Sequence, residues 1–277
     1  MDSAEGPATE KIAGASIEIA RRGKGRTILF LHPHIGLHGS ERFIESLARD
    51  AQVIAPSHPG FGHSELPKGM STVDDLSYFY LDLIEQLDLR DLVVVGASFG
   101  GWIAAEIASK TCERLSRLVL LGAVGAKFGE RDKSDIVDIF ATPRSRWEEL
   151  SFRDPAVWLR DYESLPEDEL TAMARNREAT ALFAWNPYMY NPKLKARLHR
   201  IRIPTLVLWG AHDGFAPPAY GRSFCAAVPG AKFEEIAEAG HFPHMEQPEA
   251  TAKRVLEFAK TGDRPRFPAP SSEGNET

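Results

Sequence analysis

Ser98 lies in the segment 96–100, Gly-Ala-Ser-Phe-Gly, where the sequence changes abruptly in character. Residues 92–95, just before it, are apolar without polar alternation, as in a strand buried on both faces of a parallel sheet. The small residues around the serine allow a tight turn from that strand into a following helix. On such a turn, the Ser98 hydroxyl could attack a carbonyl group, with the first helical N–H groups beside it.

Two further residues could activate Ser98. A serine hydroxyl becomes an effective nucleophile when a base takes its proton and a third group orients that base. Asp213 follows the apolar run 205–209, and His241 follows the strand-like segment 233–236. Both lie in glycine-containing loops after predicted strands, where an open α/β sheet collects its functional groups. We therefore predict that Ser98, Asp213 and His241 form one catalytic group.

This chain order of serine, acid and histidine resembles that of the α/β-hydrolase fold family, specifically its capped, esterase-like members. The resemblance covers roughly residues 15–260, and the segments that carry it are 59–64, 96–101, 209–213 and 240–248. It implies that Ser98 attacks a carbonyl carbon and that His241 acts as general base and then general acid. It also implies that Asp213 orients the imidazole of His241.

The resemblance further implies two backbone N–H groups that hold the oxyanion. One is that of Phe99, and the other comes from the loop after the apolar run 27–31. The family usually has His-Gly in this loop, whereas this chain has His32-Pro33, and proline has no N–H to donate. We therefore expect the N–H of His34 to be the second donor, with that of Ile35 as the alternative.

The apolar runs predict an α/β fold, and the resemblance implies a mostly parallel central sheet flanked by helices with an inserted helical cap. Continuous or alternating apolar runs predict strands, at residues 15–21, 27–31, 53–55, 92–95, 117–121, 205–209 and 233–236. Amphipathic stretches predict helices, at residues 40–48, 72–89, 99–109, 218–228 and 248–260. The strand over 15–21 is expected at the edge of the sheet. The predicted organisation is a flexible leader at 1–10, a core at 11–125 and 200–260, the cap at 126–199 and a disordered tail at 261–277.

Composition and charge argue against several classes of protein. The net charge of −6 and the lack of a basic cluster argue against nucleic-acid binding. No apolar run approaches the ~20 residues of a membrane span, and no signal peptide is recognisable, so we expect a cytoplasmic protein with a small-molecule substrate and no membrane partner. Neither a Gly-x-Gly-x-x-Gly motif nor a phosphate loop occurs, so no cofactor is expected. The sequence leaves homo-oligomer formation open.

Five histidines raise the alternative of a metal site. His32, His34 and His38 are closely spaced, and His58 and His63 follow in a second glycine-containing loop. Imidazole is a common metal ligand. No paired acidic ligand accompanies these residues, and loops at the mouth of such a fold collect polar residues in any case. We therefore predict no metal.

The predicted function is hydrolysis of a small carboxylic ester, or a related acyl bond, through an acyl-enzyme intermediate. The resemblance leaves carbon–carbon bond hydrolysis and lactone opening as alternatives. Members that cleave carbon–carbon bonds often carry Asn before the serine and Trp after the histidine, where this chain has Ala97 and Phe242. An alternative of another class is a receptor that binds a small molecule with slow or no turnover.

Overall fold

The computed structural model describes residues 8–130, 132–158 and 160–260. Its central sheet has eight strands in the order β1-β2-β4-β3-β5-β6-β7-β8. The strands are β1 Ala8–Ile12, β2 Ala15–Arg22, β3 Thr27–Leu31, β4 Gln52–Pro56, β5 Leu92–Ala97, β6 Leu115–Leu121, β7 Thr205–Gly210 and β8 Lys232–Ile236. All neighbouring strands from β4 to β8 are parallel, while β2 pairs antiparallel with both β1 and β4. The predicted fold class is therefore confirmed.

Helices flank the sheet on both faces. The α-helices are α1 Glu41–Ala48, α2 Val73–Gln86, α3 Phe99–Lys110, α4 Arg144–Ser151, α5 Glu167–Ala184, α6 Leu194–Arg197, α7 Pro218–Ala227, α8 Pro243–Glu246 and α9 Pro248–Lys260. Short 3-10 helices cover Pro155–Val157 and Leu198–Arg200. Within the described ranges, no helix is long and apolar enough to cross a membrane.

Strand β5 lies at the centre of the sheet and is buried along its whole length. It pairs with β3 and β6, so that Gly96 lies opposite Leu31 and Ala97 opposite Leu121. Successive side chains point to opposite faces of a sheet. Val94 accordingly joins the apolar layer under α2 and α3, while Val93 joins the layer under α1 and α9. Burial on both faces explains why the sequence of β5 shows no polar alternation.

The edge of the sheet differs from the sequence prediction. The prediction of β2 as the edge strand is wrong, because β1 pairs with its outer side from Ala8 to Ile12. Ala13 and Gly14 both have positive φ, 48° and 83°, as in the tight turns that join antiparallel strands. Residues 8–10, assigned to the leader, therefore belong to a strand. Residues 1–7 and the predicted tail 261–277 lie outside the described residues.

The segment between β6 and β7 contains the helices α4, α5 and α6, which are joined by turns and loops. It lies against the loops that follow the carboxyl ends of the strands. The side chain of Asn176 in α5 forms hydrogen bonds with the backbone of Ile35, after β3, and of Gly62, after β4. At its other end, the carbonyl of Leu150 in α4 accepts a hydrogen bond from Gly214 after β7. The insertion thus covers the carboxyl ends of the strands, where Ser98, Asp213 and His241 are located.

Candidate active site

Ser98 occupies the turn between β5 and α3 in a strained backbone conformation. Its φ of 49° and ψ of −111° are unusual for a residue with a side chain and persist only when the surroundings impose them. Its N–H donates to the carbonyl of Leu121, 2.8 Å away, and its carbonyl accepts from Val124 at 3.2 Å. A Cβ at Gly96 or Gly100 would overlap neighbouring backbone atoms. The glycines therefore permit the close approach of strand and helix that fixes Ser98.

Ser98, His241 and Asp213 are joined by hydrogen bonds. The hydroxyl of Ser98 lies 2.8 Å from Nε2 of His241, and Nδ1 of His241 lies 2.7 Å from Oδ2 of Asp213. All three side chains are buried. Because a carboxylate only accepts, Nδ1 of His241 carries the proton and Nε2 can accept the hydroxyl proton. The structure thus brings together the three residues that the sequence singled out.

The elements after β7 and β8 hold the acid and the base. The other oxygen of Asp213, Oδ1, accepts hydrogen bonds from the N–H groups of Phe215 and Ala216, at 2.9 and 2.8 Å. The N–H of His241 donates to the carbonyl of Ser151 in α4, 2.6 Å away. The ring of Phe215 packs on that of His241 with centroids 4.3 Å apart. The imidazole therefore has little freedom to turn away from Ser98.

Burial and hydrogen bonding act in opposite directions on Asp213. Burial raises the pKa of its carboxyl above the ordinary value, while His241 and the N–H groups of Ala216 and Phe215 lower it. Hydrogen bonds donated to a carboxylate favour its charged form. These three donors are what allows a negative charge to be kept in a buried site.

The predicted oxyanion donors lie in two neighbouring elements. Phe99 begins α3, where the first N–H groups have no partner within the helix. His34 lies in a turn closed by the N–H of Gly36, which donates to the carbonyl of Pro33 at 3.0 Å. Over the described ranges, the N–H groups of Phe99, His34 and Ile35 make no hydrogen bond to the protein. The roles of Phe99 and His34 stay predictions, as does the choice between His34 and Ile35.

A cavity of about 300 Å³ lies between the insertion and the turn after β3. Its wall is largely apolar and includes Trp147, Leu170 and Met173. Ser98 and His241 do not line this cavity. His34 lies between the cavity and the catalytic residues. It lines the cavity, and its ring centroid lies 6.0 Å from that of Phe215, which packs on His241.

The ring of His34 is an unexpected feature, because the sequence suggested no role for it other than that of a possible metal ligand. The side chain is 4% exposed, and neither ring nitrogen has a hydrogen-bond partner among the described residues. Burial lowers the pKa of this imidazole to about 3, and the nearby His241 and Arg177 act in the same direction. At neutral pH the ring is therefore uncharged, with one donor and one acceptor nitrogen.

The structure shows how two of the other histidines are used. Nδ1 of His32 donates to the carbonyl of Pro33 at 2.7 Å, and its Nε2 accepts from the N–H of His58 at 2.9 Å. Nε2 of His58 donates to the carbonyl of His32, and its Nδ1 accepts from the hydroxyl of Tyr80. Both rings are buried and stack with centroids 3.6 Å apart. Because every ring nitrogen is engaged, this pair acts as a structural contact.

The remaining histidines of that group face acids of the protein. His38 lies 3.8 and 3.6 Å from carboxylates of Glu41 and Glu169, and His63 lies 3.4 Å from Asp168. These side chains are partly exposed to solvent. Within the described ranges, no group of three or more His, Cys, Asp or Glu side chains is arranged to hold a metal ion. The expectation of no metal remains a prediction.

Two residues of α5 that the sequence did not single out hold the His34 turn. Nδ2 of Asn176 donates to the carbonyl of Ile35 at 3.0 Å, and its Oδ1 accepts from the N–H of Gly62 at 2.8 Å. The hydroxyl of Thr180 lies 3.1 Å from the carbonyl of His34. Asn176 and Thr180 are four residues apart in the sequence and therefore lie on one face of the helix. Polar residues at this spacing in a helix usually face solvent, and the sequence predicted only a helical insertion here, so no pattern in it indicated the contact.

Comparison with known proteins places this chain in a family. The sequence model of the α/β-hydrolase fold matches residues 26–248. One relative, the dihydrolipoyllysine-residue acetyltransferase component of the acetoin cleaving system of Cupriavidus necator, is 29% identical over 248 residues. The match covers 85% of this chain but only 64% of that relative.

Solved structures share the fold. An esterase from Exiguobacterium antarcticum superposes with a TM-score of 0.73 at 19% identity, covering 93% of this chain and all of the esterase. A meta-cleavage product hydrolase superposes with a TM-score of 0.74 at 21% identity, covering 91% of this chain and 97% of that protein. At such identities the likeness concerns the fold alone. Because the family match spans most of the sequence, the chain belongs to the α/β-hydrolase fold family.

Proposed function

We propose that the protein is a serine hydrolase that cleaves a small carboxylic ester, or a related acyl bond, through an acyl-enzyme intermediate. The observation that carries the proposal is the hydrogen-bonded series from Asp213 through His241 to Ser98. Asp213 is buried and accepts three hydrogen bonds, and Ser98 is held on a strained turn at the end of β5. A nucleophile, a base and a group that orients the base are the parts that acyl transfer requires.

The proposed reaction has two halves. In the first, Oγ of Ser98 bonds to the carbonyl carbon while Nε2 of His241 takes the hydroxyl proton. The tetrahedral intermediate then collapses, and the protonated imidazole gives that proton to the departing alcohol oxygen. In the second half, His241 takes a proton from water as the water oxygen attacks the acyl carbon. Collapse releases the acid, and the proton returns to Ser98. Asp213 stabilises the imidazolium in both halves.

The oxyanion is proposed to be held by the N–H groups of Phe99 and His34. Neither N–H group makes a hydrogen bond to the protein within the described ranges. A Cβ at Gly100 would overlap the carbonyls of Leu31 and His32, so the start of α3 lies directly against the chain that leads to His34. One such donor typically contributes ~10² to 10³ in turnover.

The insertion, residues 126–199, is proposed to act as a cap that limits substrate size. A cavity of about 300 Å³ is at the small end of ligand pockets, and its wall carries aromatic side chains such as Trp147 and Trp158. Because Ser98 is fully buried, a substrate carbonyl reaches it only when side chains around the cavity move aside. Small soluble esters therefore fit this site better than long-chain lipids.

We expect the protein to hydrolyse short and medium-chain aryl esters with a turnover of ~1 per second or more. Release of the aryl alcohol across a chain-length series measures this directly. Emulsified triglyceride should be hydrolysed more slowly, because its acyl chains exceed the cavity. The absence of turnover together with saturable binding of an ester would contradict the proposal and favour a receptor, and faster turnover of the emulsion would contradict the enclosed site.

A further inference from the structure

Three side chains around the cavity, of which His34 and Trp158 are buried and Tyr162 is half-buried, have unused hydrogen-bonding groups. Neither ring nitrogen of His34, nor Nε1 of Trp158, nor the hydroxyl oxygen of Tyr162 has a partner among the described residues. All three residues line the same cavity. The side chains of His34 and Trp158 are only 4% and 5% exposed, so solvent does not readily replace a missing partner. Leaving a buried donor without an acceptor is unfavourable, and a ligand oxygen in the cavity would remove that penalty.

The other neutral polar residues of the cavity wall are already engaged. Asn176 uses its side chain to hold Ile35 and Gly62, and the hydroxyl of Thr180 lies within hydrogen-bonding distance of the carbonyls of Asn176 and His34, at 2.7 and 3.1 Å. These contacts position the backbone. The groups left for a ligand are therefore those of His34, Trp158 and Tyr162, and each can donate a hydrogen bond.

The charges at the cavity have one sign. Arg144 and Arg177 line it, whereas none of its lining residues is an aspartate or glutamate. Arg144 is paired with Glu148 at 2.8 Å and stacks on the ring of Tyr162. Arg177 lies 5.7 Å from the centre of the Phe140 ring, and no carboxylate of the described chain lies within 4 Å of it. Arg177, at an exposed position of α5, is thus the lining cation that has no carboxylate partner among the described residues.

We propose that the natural substrate is an ester whose acyl part ends in a carboxylate, and that this carboxylate binds in the cavity. Its oxygens accept from Trp158, Tyr162 and the ring of His34, and Arg177 supplies the opposite charge. This inference rests on the proposed hydrolase function, because it assigns the acyl part of the same substrate.

A carboxylate suits this set of groups better than an alkyl chain does. It offers several acceptor sites and no donor, which matches a wall of donors. Hydrogen bonds from Trp158 and Tyr162 to a charged oxygen are stronger than those between neutral groups. An alkyl chain of the same length would leave the same donors unpaired. Sites built around hydrogen bonds reject ligands that lack the matching group far more strongly than apolar pockets reject a missing methylene.

The test compares two ligands that differ only at the end of the acyl chain. They are the mono-4-nitrophenyl ester of glutaric acid and 4-nitrophenyl valerate, measured at pH 7 by calorimetry with the Ser98→Ala protein, which does not form an acyl-enzyme. We expect the glutarate ester to bind at least about tenfold more tightly. Adding Tyr162→Phe, which removes one hydroxyl, or Arg177→Gln should each reduce that ratio.

Matched controls separate these effects from changes in folding. Tyr78 is 56% exposed on α2, and Arg146 is an exposed arginine of α4 that does not line the cavity. Tyr78→Phe and Arg146→Gln should leave the binding ratio unchanged. Equal or weaker binding of the glutarate ester would overturn the inference, and so would failure to bind either ligand.

Turnover of 4-nitrophenyl valerate by the protein with Ser98 intact distinguishes this inference from the proposed function. Hydrolysis of the valerate ester without a preference for glutarate would leave the hydrolase function standing and reject the carboxylate. Tight binding of the glutarate ester without hydrolysis of either ligand would reject the hydrolase function while retaining the ligand class.

Discussion

Replacing Ser98 or His241 with alanine is expected to lower kcat by up to ~10⁶-fold while the protein stays folded. Ser98→Ala removes the attacking oxygen, and His241→Ala removes the only group within hydrogen-bonding distance of that oxygen in the described structure. Since each step needs both groups, kcat of the double variant should be little lower than that of either single variant. Turnover of an aryl ester by the three variants measures this directly.

A matched serine control is available on α7. Ser223 is partly exposed, and its hydroxyl donates to the carbonyl of Ala219 and makes no contact with Ser98, Asp213 or His241 in the described structure. Ser223→Ala should retain wild-type kcat, and thermal unfolding should show that Ser98→Ala and His241→Ala remain folded. If the fold-losses in kcat of the two single variants multiply in the double variant, Ser98 and His241 act independently, contrary to the proposed mechanism.

Asp213→Asn is expected to lower kcat by ~10⁴-fold, the size of the loss that this change causes in a serine protease triad. The amide can keep its oxygen on the N–H groups of Phe215 and Ala216, which turns its NH₂ group toward Nδ1 of His241. Nδ1 must then accept instead of donate, so the proton moves to Nε2. In that tautomer His241 cannot take the proton of Ser98.

The control for this change is Asp82→Asn, on the exposed side of α2. It alters the net charge equally and should leave kcat unchanged. If a folded Asp213→Asn protein keeps a kcat within about tenfold of the wild-type value, another acid must orient His241. A tenfold loss corresponds to only about 1.4 kcal/mol in the activation barrier.

The turn at Ser98 could be predicted because its requirements are local. An unbroken apolar run specifies a strand buried on both faces, and small residues are needed where strand and helix meet. Asp213 and His241 were recognisable for a similar reason, since each lies beside a glycine in a loop that follows a predicted strand. The structure places all three within hydrogen-bonding distance. Strand β1 escaped detection because only Ile12 of its five residues is buried.

Features that depend on contacts between distant residues could not be predicted. The sequence pointed to the backbone N–H of His34, but the environment of its ring depends on α5. The hydrogen bond between Asn176 and Ile35 joins residues 141 positions apart. Likewise, His32 and His58 were among the possible metal ligands in the sequence, yet their ring nitrogens bond to each other's backbone, to Pro33 and to Tyr80.

Reaction with a fluorophosphonate tests directly whether Ser98 is the nucleophile. This reagent forms a stable bond with a serine that has an activating base and an oxyanion site, and peptide mapping by mass spectrometry locates the adduct. We expect a single adduct on Ser98, which should disappear in His241→Ala because the base is lost. An adduct on another serine, with Ser98 unmodified in the active protein, would contradict the assignment of Ser98 as the nucleophile.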